Sequence, residues 1–263
     1  MPGIGVWRRL RPSRIQPLTT VEPEKQSETD AVFADVIGLV RHATMLPDEA
    51  LIFTWRMGLE LIESGLPGAL IECGTWMGGC SFGLALAQKR KFGRVVRPVH
   101  MLDSFEGLPP ARERDGSAAL EYQQRTTDPG YLDNCQAPFD KVRRIRDQLG
   151  LQPDDCRLIQ GWFDVTVPRL AAELAEPKIA MLRVDCDWYD AVSLVLRHLE
   201  PLVSPEGVVI LDDYFAWDGA ARAVHDYLSR GDHPYRLRQI GQEPAPVGAW
   251  FRKRAARQFG GPV

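Results

Sequence analysis

The stretch ALIECGTWMGGCS, residues 69–81, starts as a buried strand and ends as a helix, with a glycine turn between. Its apolar run stops at Glu72, Gly74 follows, and Gly78 and Gly79 open a helical pattern. A strand entering a helix through such a turn lets the backbone approach a ligand closely and points amide groups at it. Trp76 takes the place of the middle glycine of a dinucleotide fingerprint, so its bulk hinders a pyrophosphate, while a ligand lacking that group is still cradled. A nicotinamide dehydrogenase is disfavoured on this ground.

Outward from this unit the pattern repeats. Apolar runs in PVHMLDSF, CRLIQGWF, IAMLRVDCD, GVVILDDY and GAWFRK alternate with helical segments near 79–91, 137–149, 165–175, 189–200 and 219–229. Continuous apolar runs, without strict alternation, argue for an α/β fold whose parallel sheet is covered on both faces. Ligands bind outside the carboxyl ends of such strands. Polar groups collect there: Glu72 and Gly74, Asp103, Gln160 and Trp162, Asp185 and Asp187, Asp212 and Asp213.

The domain expected over 68–254 is preceded by a helical lead-in over 29–67. Its first helix is capped near Thr29 or Asp30, and its second opens at Pro47, Asp48 and Glu49 and closes at Gly65. Residues 1–28 have the composition of a mobile arm, and 255–263 form a tail. The polar stretch between Pro109 and Asn134 is either a substrate lid or a surface insertion with a short helix over Ala118 to Arg125.

Of 263 residues, 44% are hydrophobic and 25% charged, which suits one catalytic domain with appendages. A net charge of -3 gives no global attraction to nucleic acid or anionic lipid. No apolar h-region follows the basic N-terminus and no run approaches the ~20 residues of a membrane span, so a cytoplasmic protein is expected. The five cysteines show neither a C-x-x-C pair nor zinc spacing, and read as reduced structural thiols.

Two constellations carry chemistry. Asp103, ending the second strand, suits the diol of a ribose, since a carboxylate accepts two hydrogen bonds; otherwise it caps the turn after it. Asp185 and Asp187 share a face in an extended chain, whereas the adjacent Asp212 and Asp213 cannot. For both to serve one site the chain must leave strand geometry by Asp213. Three carboxylates suit a hard cation, Mg²⁺ first, with Ca²⁺ or Mn²⁺ as alternatives.

The segments TMLPDEALIFTWRMGLELIESGLPGALIECGTWMGG, LDSFEGLP, QGWFDVTVP, LRVDCDWYDAVSLVLRHLEPLVSPEGVVILDDY and VGAWFRK, spanning about 44–253, resemble the macrocin O-methyltransferase (TylF-type) family. The resemblance implies a class I methyltransferase, Rossmann-like, with a seven-stranded, mostly parallel sheet flanked by helices. It also implies S-adenosylmethionine as methyl donor and Mg²⁺ held by Asp185, Asp212 and Asp213. Asp185 inherits the family's suggested role of general base, although a metal-bound carboxylate is a weak base and Asp185 then only orients the hydroxyl; His225 is another candidate, or a surface histidine. With the strand-end rule, the expected cofactor contacts are Glu72, Gly74, Thr75, Trp76, Gly78, Ser81, Asp103, Ser104, Gly161, Trp162 and Asp185.

Met77 stands where the family commonly has Arg, and Cys186 replaces the glycine of its D-G-D motif. The expected reaction is methyl transfer to a sugar hydroxyl of a small glycosylated natural product, by an enzyme assembled as a homodimer or larger oligomer. The alternatives are a catechol or other phenolic diol as acceptor, or an inactive binding protein of the same fold.

Overall fold

In the computed structural model the described residues are 23–254 except 175–177 and 232. The expected arm up to residue 22 and the tail from 255 lie outside them. The apolar runs form β1 (Ala69–Cys73), β2 (Val99–Asp103), β3 (Cys156–Gln160), β4 (Ile179–Val184) and β5 (Val203–Leu211). A short β6 (Arg238–Ile240) precedes β7 (Gly248–Arg252). The strand order is β3-β2-β1-β4-β5-β7-β6, parallel from β3 to β5, with β7 antiparallel to both neighbours. The order reverses between β1 and β4, which opens a crevice at their carboxyl ends.

Each strand alternates its side chains between two apolar layers. Leu70, Met101, Met181, Val208 and Ile210 pack with Phe33, Leu51, Trp55 and Phe82 on one face. These partners come from α1 (Pro23–Val40), α2 (Asp48–Glu63) and α3 (Gly79–Phe92). Ile71, Leu102, Leu182, Val184 and Val209 pack on the other face, against Val167, Val192, Val195 and Val224. That second layer uses α6 (Phe163–Glu173), α7 (Tyr189–Leu199) and α8 (Asp218–Ser229), with α4 (Ser117–Gln124) and α5 (Phe139–Gln148) lying between β2 and β3 in sequence. Burial on both faces explains the unbroken apolar runs.

α1 begins at Pro23, inside the arm expected to extend to residue 28. Proline is tolerated in a first helical turn, and the Glu, Lys and Gln that follow are good helix formers. They carry no apolar periodicity, so the pattern could not reveal them. The 109–134 segment contains α4 near the expected short helix, and then a left-handed turn in which Leu132, Asp133, Asn134 and Cys135 all have positive φ, from 47 to 58°.

Candidate active site

The crevice between β1 and β4 holds a cavity of about 530 Å³, within the usual range for small-molecule sites. Gly74 makes it possible. Its φ is +85°, and a Cβ there would lie 1.5 Å from the Asp185 carbonyl oxygen, so only glycine lets the end of β1 pass the end of β4 this closely.

The loop after β1 is held from β2. Asp103 Oδ2 accepts hydrogen bonds from the backbone N–H of Thr75 (2.8 Å) and Trp76 (2.9 Å), and Oδ1 accepts one from Phe105 N–H (2.7 Å). Gly74 N–H donates to the Leu102 carbonyl and Gly78 N–H to that of Thr75. The amides of Gly74, Thr75, Trp76 and Gly78 are therefore already satisfied within the protein. Asp103 is likewise a clamp on two turns, with too few unused lone pairs for a two-pronged grip on a diol. Burial raises its pKa, and the three amides pull the other way.

Glu72, Gly74, Thr75, Trp76, Asp103, Ser104, Trp162 and Asp185 line the cavity. Gly78, Ser81 and Gly161 are not among its lining residues: Ser81 is buried and donates to Glu72 Oε2, and Gly161 N–H donates to the Asp103 carbonyl. Thr75 Oγ1 and Trp76 Nε1, on residues of the cavity wall, are buried without a hydrogen-bond partner among the described residues. Buried polar atoms rarely stay unpaired, so they fit a polar ligand held against this wall.

Beside this wall lie the carboxylates. β5 stops at Leu211 and a 3₁₀ turn runs from Asp212 to Phe215, so the chain turns where adjacent acids required it to. Asp185, Asp212 and Asp213 each offer an oxygen, all within 4.8 Å of one another. Burial, and then Asp187 and Asp185, push Asp213 well above the usual carboxylate range; burial pushes Asp212 up to about 8 against the pull of Arg183. An all-oxygen, partly buried set of this kind fits a hard divalent cation.

Four groups at the site carried little or no weight in the sequence reading. Arg183, only 1% exposed, is the guanidinium among these acids: Nη1 donates to Glu72 Oε1 (2.9 Å) and Asp185 Oδ2 (2.5 Å), and Nη2 donates to Asp212. Asp187 lines the cavity, has φ +56°, donates its N–H to Asp213 Oδ2 (2.8 Å) and accepts from Trp217 Nε1 (2.9 Å). Burial, then Asp185, pushes it up to about 7. Residues 43–47, before α2, form another wall, and Cys135, after the left-handed turn, lies at the cavity as well. Burial pushes the Cys135 thiol up to about 12 and raises those of Cys73, Cys80, Cys156 and Cys186 further, which keeps all five protonated. His225 accepts or donates a hydrogen bond with Tyr214 Oη at 2.9 Å and is not among the lining residues.

Residues 43–253 match the family described as macrocin-O-methyltransferase (TylF). The chain belongs to this family. It is 34% identical over 196 residues to an 8-demethyl-8-(2,3-dimethoxy-alpha-L-rhamnosyl)-tetracenomycin-C 4'-O-methyltransferase of Streptomyces olivaceus, covering 74% of this chain and 70% of that protein. It is 30% identical over 200 residues to a mycinamicin III 3''-O-methyltransferase of Micromonospora griseorubida, covering 74% and 72%. Among solved structures, the O-methyltransferase NovP matches with a TM-score of 0.68 at 26% identity, covering 81% of this chain and 83% of that one. The calicheamicin methyltransferase CalS11 shares the fold, with a TM-score of 0.59 at 19% identity over 89% and 94% of the two chains. The protein is thus an O-methyltransferase of the S-adenosylmethionine-dependent fold. Among its described residues no helix is long and apolar enough to cross a membrane.

Proposed function

We propose that this methyltransferase moves the methyl group of S-adenosylmethionine to a sugar hydroxyl of a small glycosylated natural product, with Mg²⁺ held by Asp185, Asp212 and Asp213. The observation that carries the reading is the convergence of three carboxylates within 4.8 Å beside a cavity lined by the glycine loop. The names of the two relatives, which act on a rhamnosyl-bearing tetracenomycin and on mycinamicin III, support the acceptor class, the first by its sugar.

The chain's own groups divide the work. Glu72, Thr75, Trp76, Ser104 and Trp162 wall the cofactor side, and in-line placement suffices there because a sulfonium methyl is already activated. When bound, Mg²⁺ supplies Lewis acidity that lowers the pKa of a neighbouring hydroxyl. Asp185, engaged by Arg183, orients that hydroxyl. Asp187, which lines the cavity and makes no ion pair among the described residues, takes the proton. This moves the base two residues from the position the resemblance implied.

Dialysis against a chelator followed by methyl-transfer assay tests the metal: loss of activity, restored by Mg²⁺, is expected, and activity surviving complete metal removal excludes it. A rhamnosylated polyketide and a simple catechol, compared by kcat/KM, test the acceptor. Preference for the catechol overturns the sugar assignment.

A further inference from the structure

Arg183 is the least expected group in the site. A cation about to meet Mg²⁺ should be an obstacle, because like charges repel and both claim the same carboxylates. Yet the fold places it there deliberately in register. Arg183 pairs with Glu72 across β1 and β4 and with Ile210 across β4 and β5. Glu72, Arg183 and Ile210 therefore lie on one side of the sheet, and Asp185 and Asp212 follow two residues after Arg183 and Ile210, just past the strand ends. The guanidinium then donates to one acid from each of three strand ends, with geometry that a single ammonium cannot reproduce.

The bonds select oxygens. Arg183 engages Oδ2 of Asp185 and Oδ1 of Asp212, and the Asp187 N–H engages Oδ2 of Asp213. Each carboxylate is thereby anchored through one oxygen and keeps the other for a cation. Glu72, which lines the cofactor cavity and is 3% exposed, fixes the guanidinium from behind.

We propose that Arg183 is a positioning residue: its fork presets Asp185 and Asp212 so that their second oxygens, with one from Asp213, form the cation site before the ion arrives. The proposal rests on the metal reading given above. It opposes a simpler role, in which Arg183 only neutralises excess negative charge. The two differ in sign. Removing a competing charge tightens divalent-ion binding, whereas removing an anchor weakens it; replacing arginine by lysine keeps the charge and loses the fork.

The test is Mn²⁺ binding to the full chain, measured by titration calorimetry and by the electron paramagnetic resonance of free Mn²⁺, without substrate or turnover. Arg183→Lys is expected to bind Mn²⁺ about 10–100-fold more weakly than the unsubstituted protein, the usual cost of losing an outer-shell partner. Arg183→Met loses the fork and the repelling charge together, so it is expected to weaken binding less than Arg183→Lys does. Mn²⁺ affinity equal to or tighter than that of the unsubstituted protein in folded Arg183→Lys overturns the positioning role, and does so even where Arg183→Met fails to fold. Absence of Mn²⁺ binding in the unsubstituted protein, or full binding retained in Asp213→Asn, instead overturns the metal site itself.

Discussion

Three backbone N–H groups, from Thr75, Trp76 and Phe105, converge on the carboxylate of Asp103. In Asp103→Asn one acceptor oxygen becomes an NH₂ donor facing an amide donor, so at least one of these bonds is lost and the loop is freed to move. Leaving a buried amide unsatisfied costs about 1–3 kcal/mol, so the melting temperature falls, and S-adenosylhomocysteine titrated by calorimetry binds more weakly. Unchanged binding and melting would show that the clamp is dispensable. At Asp187, substitution by Asn keeps the size and removes the proton acceptor, so kcat falls by about 10²–10⁴-fold while Mn²⁺ binding persists; near-normal kcat returns the base to another group. What the sequence showed at this scale was the acids, because carboxylates at strand ends are conspicuous. It hid their partners. Arg183 lies inside an apolar run and its three contacts come from β1, the residue after β4 and the turn after β5, so the register of the sheet brings them together.

At the scale of elements, the 109–134 insertion is fastened to the helices beside the site. Trp188, the residue before α7, makes no capping bond through its own side chain. Asp115 from the insertion does it instead: its Oδ1 accepts from Tyr189 N–H (2.8 Å) and its Oδ2 from Arg112 N–H (2.7 Å). Asp115 is buried, and a Cβ on Gly219 of α8 would lie 2.8 Å from its Cα. Trp188 Nε1 also donates to the Pro109 carbonyl at 2.9 Å. Asp115→Ala removes a cap, at a cost of about 0.5–2 kcal/mol, which in a chain of this size lowers the melting temperature by about 1–8 °C. The loosened insertion should raise the acceptor KM more than it lowers kcat; a lower melting temperature with an unchanged KM would make the segment structural only. The helices after β1 that cover the sheet were legible because apolar residues recur along them, with ends within a few residues of those expected. β6 was not, since three residues with only Ile240 buried carry no period, and the left-handed turn at 132–135 has no glycine to announce it.

For the whole molecule, the buried acids make stability depend on pH and on the cation together. Asp187 and Asp212 are pushed up to about 7 and about 8, chiefly by burial, from an ordinary value near 4. A carboxyl with a raised folded pKa binds protons more tightly folded than unfolded, so its stabilising contribution is complete below about pH 4 and is lost as pH rises toward 8. The metal-free protein should therefore lose stability across that window. His100 works in the opposite direction, since burial and then Arg157 lower its pKa and favour its neutral form in the fold. The difference between melts with Mg²⁺ and with chelator cancels His100, which is not part of the acid cluster, and isolates the acids. Because protons and the divalent ion compete for the same oxygens, the Mg²⁺-induced rise in melting temperature should grow from pH 6 to pH 8 and vanish in Asp213→Asn. A rise that stays constant with pH would mean that the ion displaces no protons, and that the acids are held ionised by the protein alone.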